Sequence, residues 1–515
     1  MFCKDTMSIF SQKLFNTMFL SYILTRTDLL LYFITSIILF YFWINGSKSK
    51  GKMPPGPKPL PLIGNLNLLD LKRPHKSLMK LSEKYGEVFT IHFGPKKMVV
   101  IAGYSAVKDA LVNQADDFGD RAGTPIFILT RKGKGIAFSN GDFWKVIKRF
   151  TLSTLRDFGM GKKTIEGKIQ DELIPLIENL KSYNGNPFDT ELIMNNAVSN
   201  VICSFMFGER FDYNDPTFKK ILQISSEFAK LAGSPKVLMY NFFPRIAYLF
   251  GAHKQIVQYH NELSKFFLKR IKQLRQEFDK NAISGFIGAY LMKQEQESAK
   301  AENYFDDENL VCIIHDLFAA GTETTATTLR WGILLMMKYP EIQEKVQEEI
   351  RTHIQQGQLP TLDDRKNMPY TEAVIHETQR FADIVPLNVS HTTPCDVNFR
   401  GYCIPKGTDI IPFLTSVLYD NTQWETPYEF NPNHFLDEDG KFVKRDAFLP
   451  FSAGRRACVG ESLARKELFL FFTGLLQTFT FCPPPGVSRE KISVEADSGF
   501  ILPPLPHLVC AKLIN

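Results

Sequence analysis

Ten residues near the C-terminal end, Phe451-Ser452-Ala453-Gly454-Arg455-Arg456-Ala457-Cys458-Val459-Gly460, constrain this chain more than any other stretch. One cysteine stands between two glycines and behind two arginines, and the run that follows, with Leu463, Ala464 and Leu468, has helical spacing. A lone cysteine is most often a small structural hydrophobe. Here each neighbour has a use if the sulfur is instead a thiolate that binds iron. A helix start and a nearby guanidinium both stabilise the anion and lower the thiol pKa. Gly454 and Gly460 let backbone approach a flat group closely and adopt dihedrals that other residues avoid. Arg456 can turn its forked N–H groups to a carboxylate. The remaining cysteines, at 3, 203, 312, 395, 403, 482 and 510, are far apart with no Cys-x-x-Cys pair, which argues against a zinc cluster or a disulfide framework.

A second stretch defies propensity. Asp316 to Thr325 lies inside a long helical run, and five of the seven residues from Thr322 to Thr328 are threonine, a poor choice for a helix interior. The Thr324 hydroxyl is placed to bond the Ala320 carbonyl one turn back and widen the helix locally, and Gly321 leaves room there for a small ligand. Glu323 and Thr324 are adjacent, hence about 100° apart around the helix, so they cannot share one role. An acid beside threonine on a solvated face is the bland alternative.

The composition is globular, with 44% hydrophobic and 23% charged residues among 515, and the 44 phenylalanines suit a large apolar interior. A net charge of +6 without a dense lysine or arginine run gives no reason to invoke nucleic acid. Leu29 to Ser47 carries no charge, and its nineteen residues at ~1.5 Å each reach about 28 Å, the thickness of a bilayer core. This reads as a retained spanning anchor. A cleaved signal peptide and a mitochondrial presequence are the alternatives, but no small-residue cleavage site follows and the segment is too long and aromatic for the second. Lys48, Lys50, Lys52 and Lys58 follow it while Arg26 alone closely precedes it, which puts the body in the cytosol and residues 1–28 in the lumen. The tail's own apolar stretch, Met18 to Leu24, leaves a second, shallow membrane contact open. Residues 48–61 are basic and then proline-rich, neither helix nor central strand, and read as a stiff extended spacer or a peptide for a proline-binding module. Residues 62–515 show no repeat and no flexible linker. They read as one large, mainly α domain with small β-sheets: strands at Val88–Phe93 and Met98–Ile101, and helices at Asn309–Lys338, Pro340–Ile354, Pro369–Phe381 and Glu461–Leu476.

The pattern Phe-x-x-Gly-x-Arg-x-Cys-x-Gly at 451–460 resembles the haem-binding signature of the cytochromes P-450. The likeness runs over residues 54–515 and is closest to the animal microsomal family-2 type, through Pro54–Pro57, Ala197–Ile202 and the chain from Leu436 onward. It implies a triangular, mostly α fold with haem b between two helices and Cys458 as the axial ligand of the iron. It also implies that Thr324 stabilises bound dioxygen while Glu323 relays protons, and that Arg121, Trp144, His391 and Arg456 hold the haem propionates. One departure stands out: the usual Trp-x-x-x-Arg reads Trp144-x-x-x-Lys148, with Arg149 next, so the second propionate residue is Lys148, which lacks the fork, or Arg149. Glu377 and Arg380, three apart on a helix, are expected to join His434 in a buried network that supports the haem loop.

No nicotinamide or flavin fingerprint is present, so the resemblance implies electrons from NADPH through a membrane-bound NADPH–cytochrome P-450 reductase, with cytochrome b5 as a further partner. Lys145, Lys148, Arg149, Lys162, Lys163, Arg455 and Lys466 are the candidate docking face. The implied setting is the endoplasmic reticulum membrane, and the implied activity is insertion of one oxygen atom into a steroid, fatty acid or xenobiotic. The pocket would draw on Thr124 to Phe138, Val385 to Ser390 and the turn near Phe500. A haem-thiolate isomerase or dehydratase, and a non-catalytic haem-binding protein, are the rival readings; Thr324 speaks against the first.

Overall fold

The computed structural model describes residues 51–160, 164–280, 283, 285–299 and 303–514, with a few positions between 28 and 36. The expected tail at 1–28 and the expected anchor at 29–47 fall mostly outside these residues, and among those described no helix is long and apolar enough to cross a membrane.

The helices that shape the site are α1 (Gly141–Leu155), α2 (Glu191–Met206), α3 (Pro216–Ala232), α4 (Asp307–Lys338), α5 (Pro340–His353), α6 (Pro369–Ala382) and α7 (Glu461–Thr478). The last four match the periodic stretches of the sequence to within two residues at each end. The start of α4 is fixed by Asp306, whose side chain accepts the Asn309 N–H at 2.7 Å. Asp307 and Glu308 then place negative charge at the positive end of the helix dipole. Most of α4 is buried, polar residues included, so it runs through the interior, against α2, α6 and α7. Phe318, Trp331 and Leu335 of α4 and Phe469 and Phe472 of α7 are all buried there. Each contributes about 1.5–3 kcal/mol of hydrophobic stabilisation.

The largest sheet has the order β1-β2-β5-β4-β3, with β1 (Val88–Phe93), β2 (Lys96–Ile101), β3 (Asp120–Arg121), β4 (His391–Thr392) and β5 (Asp409–Pro412). Strand β2 starts at Lys96, ahead of the apolar pattern, because Lys96 and Lys97 pair with Phe93 and His92 across the hairpin. β2 and β5 are parallel, and β5, β4 and β3 pair antiparallel in turn, which sets Arg121 directly across from His391. Two small two-stranded sheets complete the β-structure.

The proline run is not a free spacer over its whole length. The Pro55 carbonyl accepts the Thr90 N–H at 2.7 Å and the Pro54 carbonyl accepts the Thr90 hydroxyl at 2.9 Å, so the run lies along β1. Proline has no N–H to give, but its carbonyl remains a full acceptor. Gly56 is pressed so closely that a Cβ there would stand 2.0 Å from the Thr90 carbonyl oxygen.

Candidate active site

Helices α4, α6 and α7 and the loop before α7 enclose about 1680 Å³ of space, part of it open to solvent. The walls are largely apolar, with Leu317, Val385 and Leu463 among them; the loop contributes Phe451 and Cys458, and α4 contributes Ala320, Gly321 and Thr324.

The loop is closed by the Cys458 N–H, which donates to the Phe451 carbonyl at 3.0 Å, and is tied to the 385–390 segment by Asn388 Nδ2 on Ser452 Oγ at 2.8 Å. Gly454 sits at φ +72°, and a Cβ there would lie 1.7 Å from the Leu111 carbonyl oxygen. Its missing side chain therefore serves packing against protein backbone rather than approach to a flat group. Gly460 has an ordinary helical backbone, φ −91° and ψ 0°, so the unusual dihedral expected of it is absent. A Cβ there would meet the Cys458 sulfur at 3.8 Å.

Cys458 is exposed, but to the cavity. Removal from bulk water pushes its thiol pKa up, and the amide N–H groups of Gly460 and Glu461 at the start of α7 pull it down. The guanidinium help expected from the sequence does not materialise. Arg455 pairs with Asp116, and Arg456 turns to the Trp144 ring at 3.6 Å. The helix start is what favours a thiolate here.

A cluster of cationic groups borders the same cavity. Arg456 donates to the carbonyls of Gly119 at 2.8 Å and Ser139 at 2.9 Å and to Asn140 Oδ1 at 2.8 Å, and Arg121 donates to the Val389 carbonyl at 2.7 Å. Lys148 lies 4.9 Å from the centre of the Trp144 ring, donates to the Arg455 carbonyl and lines the cavity, whereas Arg149 is exposed and does not. His391 Nδ1 donates to the Phe118 carbonyl at 2.6 Å. After these bonds Arg121 Nε, Arg456 Nη1 and His391 Nε2 remain buried without a hydrogen-bond partner among the described residues.

The electrostatics match. Burial, then the Arg456 charge, brings Arg121 down to about 9, and burial brings Arg456 down to about 10, against a pull from Asp120. Burial and these two arginines also lower Lys148. Burial, then Arg121, takes His391 down to about 3, leaving it neutral. Crowded cations with unused buried N–H groups are costly in themselves and suited to an anion. The two carboxylates of haem fit that requirement.

Along α4, Thr324 Oγ1 donates to the Ala320 carbonyl at 2.7 Å, as the spacing implied. Glu323 points elsewhere: it does not line the cavity, and its Oε2 accepts Asn195 Nδ2 of α2 at 3.3 Å. Burial, followed by the charge of Glu191, raises its pKa. Glu377, Arg380 and His434 come together away from the cavity. Arg380 grips both carboxylate oxygens of Glu377 at 2.7 Å and donates to the carbonyls of Leu418 at 2.9 Å, Pro427 at 2.7 Å and Glu429 at 2.8 Å. His434 Nδ1 stands 3.2 Å from the same carboxylate.

Of the segments expected to form the pocket, Ile136, Ala137, Val385 and Val389 line the cavity. Phe500 does not; its backbone is pressed against Gly233, where a Cβ would fall 2.1 Å from the Phe500 nitrogen. Two carboxylates in the wall escaped the sequence reading. Asp316 pairs with Arg131 at 3.1 Å and accepts the N–H groups of Ile136 and Ala137, pinning to α4 the turn that follows the short helix Pro125–Arg131, where a loop from Thr124 was expected. Glu467 of α7 is buried and bonded by Thr325. Ile202, Phe205 and Met206 of α2 also line the cavity, and their i, i+3, i+4 spacing was the available signal.

The cytochrome P450 family model matches residues 54–511. Cytochrome P450 2K1 of Oncorhynchus mykiss is 51% identical over 480 residues, covering 92% of this chain and 95% of that protein. Cytochrome P450 2K6 of Danio rerio is 50% identical over 454 residues, 88% of this chain and 90% of the relative. Cytochrome P450 2C3 of Oryctolagus cuniculus is 44% identical over 480 residues, 93% of this chain and 97% of the relative. With almost its whole length matched in this way, the chain belongs to the cytochrome P450 family and is a haem-thiolate monooxygenase with haem b as its cofactor.

Proposed function

We propose that this enzyme inserts one atom of dioxygen into a steroid, fatty acid or foreign lipophile held beside Thr324, and that the Cys458 sulfur would hold the haem iron. One observation carries the reading: the Cys458 sulfur and the Thr324 side chain open into a single, largely apolar cavity. Haem with a thiolate ligand supplies the activation of dioxygen. The amides that open α7 favour the anionic form of the sulfur against the upward push of burial. Arg121, Lys148, His391 and Arg456, with Trp144 beneath two of them, would hold the propionates, and Lys148 would take the place that Arg149 is too exposed to fill. Thr324 keeps the groove in α4 open and presents its hydroxyl oxygen there, and Glu323 supplies protons from behind it. Phe451, Gly454 and Gly460 shape the sulfur loop, and Glu377, Arg380 and His434 brace it. The apolar walls exclude water and favour a greasy substrate.

Electrons come from NADPH through NADPH–cytochrome P450 reductase, with cytochrome b5 as a second donor. Lys145, Lys148, Arg149, Arg455 and Lys466 form the basic docking face; Lys162 and Lys163 lie outside the described residues. High salt then slows reduction of the enzyme. Residues 29–47 anchor the protein in the endoplasmic reticulum membrane, and residues 62–515 form one catalytic domain facing the cytosol. The test is turnover of a lipid extract by the purified enzyme with reductase, NADPH and isotopically labelled dioxygen. Products heavier by one labelled oxygen are expected from the parent and none from Cys458→Ser. Products formed equally without NADPH would overturn the reading.

A further inference from the structure

The last strands of the chain bring two of the widely spaced cysteines face to face. β6 (Phe479–Cys482) and β7 (Cys510–Leu513) pair antiparallel, with Cys482 directly across from Cys510. Side chains opposite each other on such a pair project from the same face of the sheet. The Ile514 N–H donates to the Thr478 carbonyl at 3.0 Å, and stepping two residues at a time from that bond makes Cys482 and Cys510 a hydrogen-bonded pair. Their Cα atoms are then about 5.5 Å apart, inside the range that a disulfide spans. Cys482 Sγ leans over the partner strand and lies 3.7 Å from the Cys510 carbonyl oxygen. Both thiols are free, with Cys482 half-buried and Cys510 buried.

This pair stands at the base of the loop 483–509, and the loop reaches the cavity wall. The Leu502 N–H donates to the Ile384 carbonyl at 2.9 Å, and Trp331 Nε1 of α4 donates to the Leu502 carbonyl at 3.0 Å. Ile384 lines the cavity. Lys338, at the end of α4, donates to the Ile492 carbonyl at 2.7 Å. The β6–β7 ladder holds the two ends of the loop together, so a covalent link there restricts every conformation that the loop can adopt.

We propose that Cys482 and Cys510 form a reversible disulfide when the enzyme meets hydrogen peroxide, and that this bond clamps the loop that braces the cavity wall. Hydrogen peroxide is dioxygen with two electrons and two protons added, which is what remains when reducing equivalents reach dioxygen but not a substrate. The Cys482 sulfur takes one peroxide oxygen as the O–O bond breaks, giving Cys482–SOH and water. The Cys510 sulfur then displaces that oxygen: the S–S bond forms, the S–O bond breaks and a second water leaves. The sum, 2 RSH + H2O2 → RSSR + 2 H2O, moves two electrons from sulfur to peroxide. Burial, and then the Cys482 thiol, raise the Cys510 pKa, which keeps Cys510 a thiol while the more exposed Cys482 meets the oxidant. Facing Cβ atoms on paired strands stand about 4.5–5.5 Å apart, against about 3.5–4.5 Å across a disulfide. The bridge therefore strains the ladder, and a small thiol reopens it.

The test treats the full-length, haem-loaded enzyme with hydrogen peroxide, blocks the remaining thiols with iodoacetamide and weighs the tryptic peptides. Residues 467–489 and 492–512, which trypsin separates at Arg489 and Lys491, are expected as one linked species that falls apart in dithiothreitol. The linked species is absent from Cys482→Ser, and Cys482→Ala replaces that control should a hydroxyl there disturb folding. Deuterium exchange at the Leu502 amide is expected to slow about threefold in the oxidised parent, and its Tm to stand about 3 °C above that of the equally treated variant. Both proteins meet peroxide at the haem alike, so the difference between them reports the cysteines. Separate peptides, with Cys482 recovered as sulfenic or sulfinic acid, would overturn the bridge. A bridge that left Leu502 exchange and Tm at the variant's values would overturn the clamp.

Discussion

Arg380 and Arg456 are both buried guanidinium groups held by backbone carbonyls, yet they stand in opposite electrostatic situations. Arg380 meets a carboxylate with two parallel bonds and spends its remaining N–H groups on three carbonyls, and His434 completes the set. Arg456 meets two carbonyls, an amide oxygen and a tryptophan face, keeps an N–H in reserve, and has Arg121 and Lys148 close enough for it to depress the pKa of each. A satisfied buried ion pair is scaffold, whereas a cluster of like charges with unspent donors is a receptor awaiting its anion.

Four substitutions probe that contrast. Arg380→Ala leaves Glu377 buried without its partner, and should cost about 3–5 kcal/mol in denaturant unfolding, whether or not haem is bound. Arg456→Ala should do the reverse. It relieves repulsion, so the haem-free protein should lose no more than about 1 kcal/mol, while haem dissociates roughly tenfold faster, read as transfer to an excess of apomyoglobin. Equal destabilisation by both changes would erase the distinction.

A pH measurement sharpens it. His391 falls from its ordinary 6.5 to about 3 in the fold, so the unfolded chain takes up the proton first, and stability declines as pH drops through that interval. With Nδ1 committed to the Phe118 carbonyl, Nε2 must gain a proton to meet a carboxylate. The difference in unfolding free energy between parent and His391→Gln should therefore depend on pH from about 6.5 downward in the haem-free protein, and less steeply in the loaded one. The smallest effect belongs to Lys148→Arg, which restores the fork and should slow haem loss about threefold on a partly exposed side chain.

What the sequence revealed was local. The Thr324–Ala320 bond, the cap at Asp306 and the Glu377–Arg380 spacing are properties of one helix, and residue order states them directly. The tenants of the cavity wall follow from pairings between distant stretches. Asp316 is spoken for by Arg131, 185 residues away, and Arg456 is turned from the sulfur by Trp144 and by carbonyls more than 300 residues back. No periodicity reports such contacts, which is why guanidinium support for Cys458 and a pocket role for Phe500 were expected and not found. Gly454 misled for a related reason: the residue type announced a close approach, but not that the neighbour would be Leu111.

The proline run bonded to β1 carries a mechanical consequence. A strap welded to the sheet at Thr90 transmits torque, so whatever grips the chain ahead of residue 51 also steers the sheet, and with it the strand pair that carries Arg121 and His391. The attitude of the cavity toward its surroundings is then set by the two carbonyl bonds at Thr90 rather than by the length of a tether.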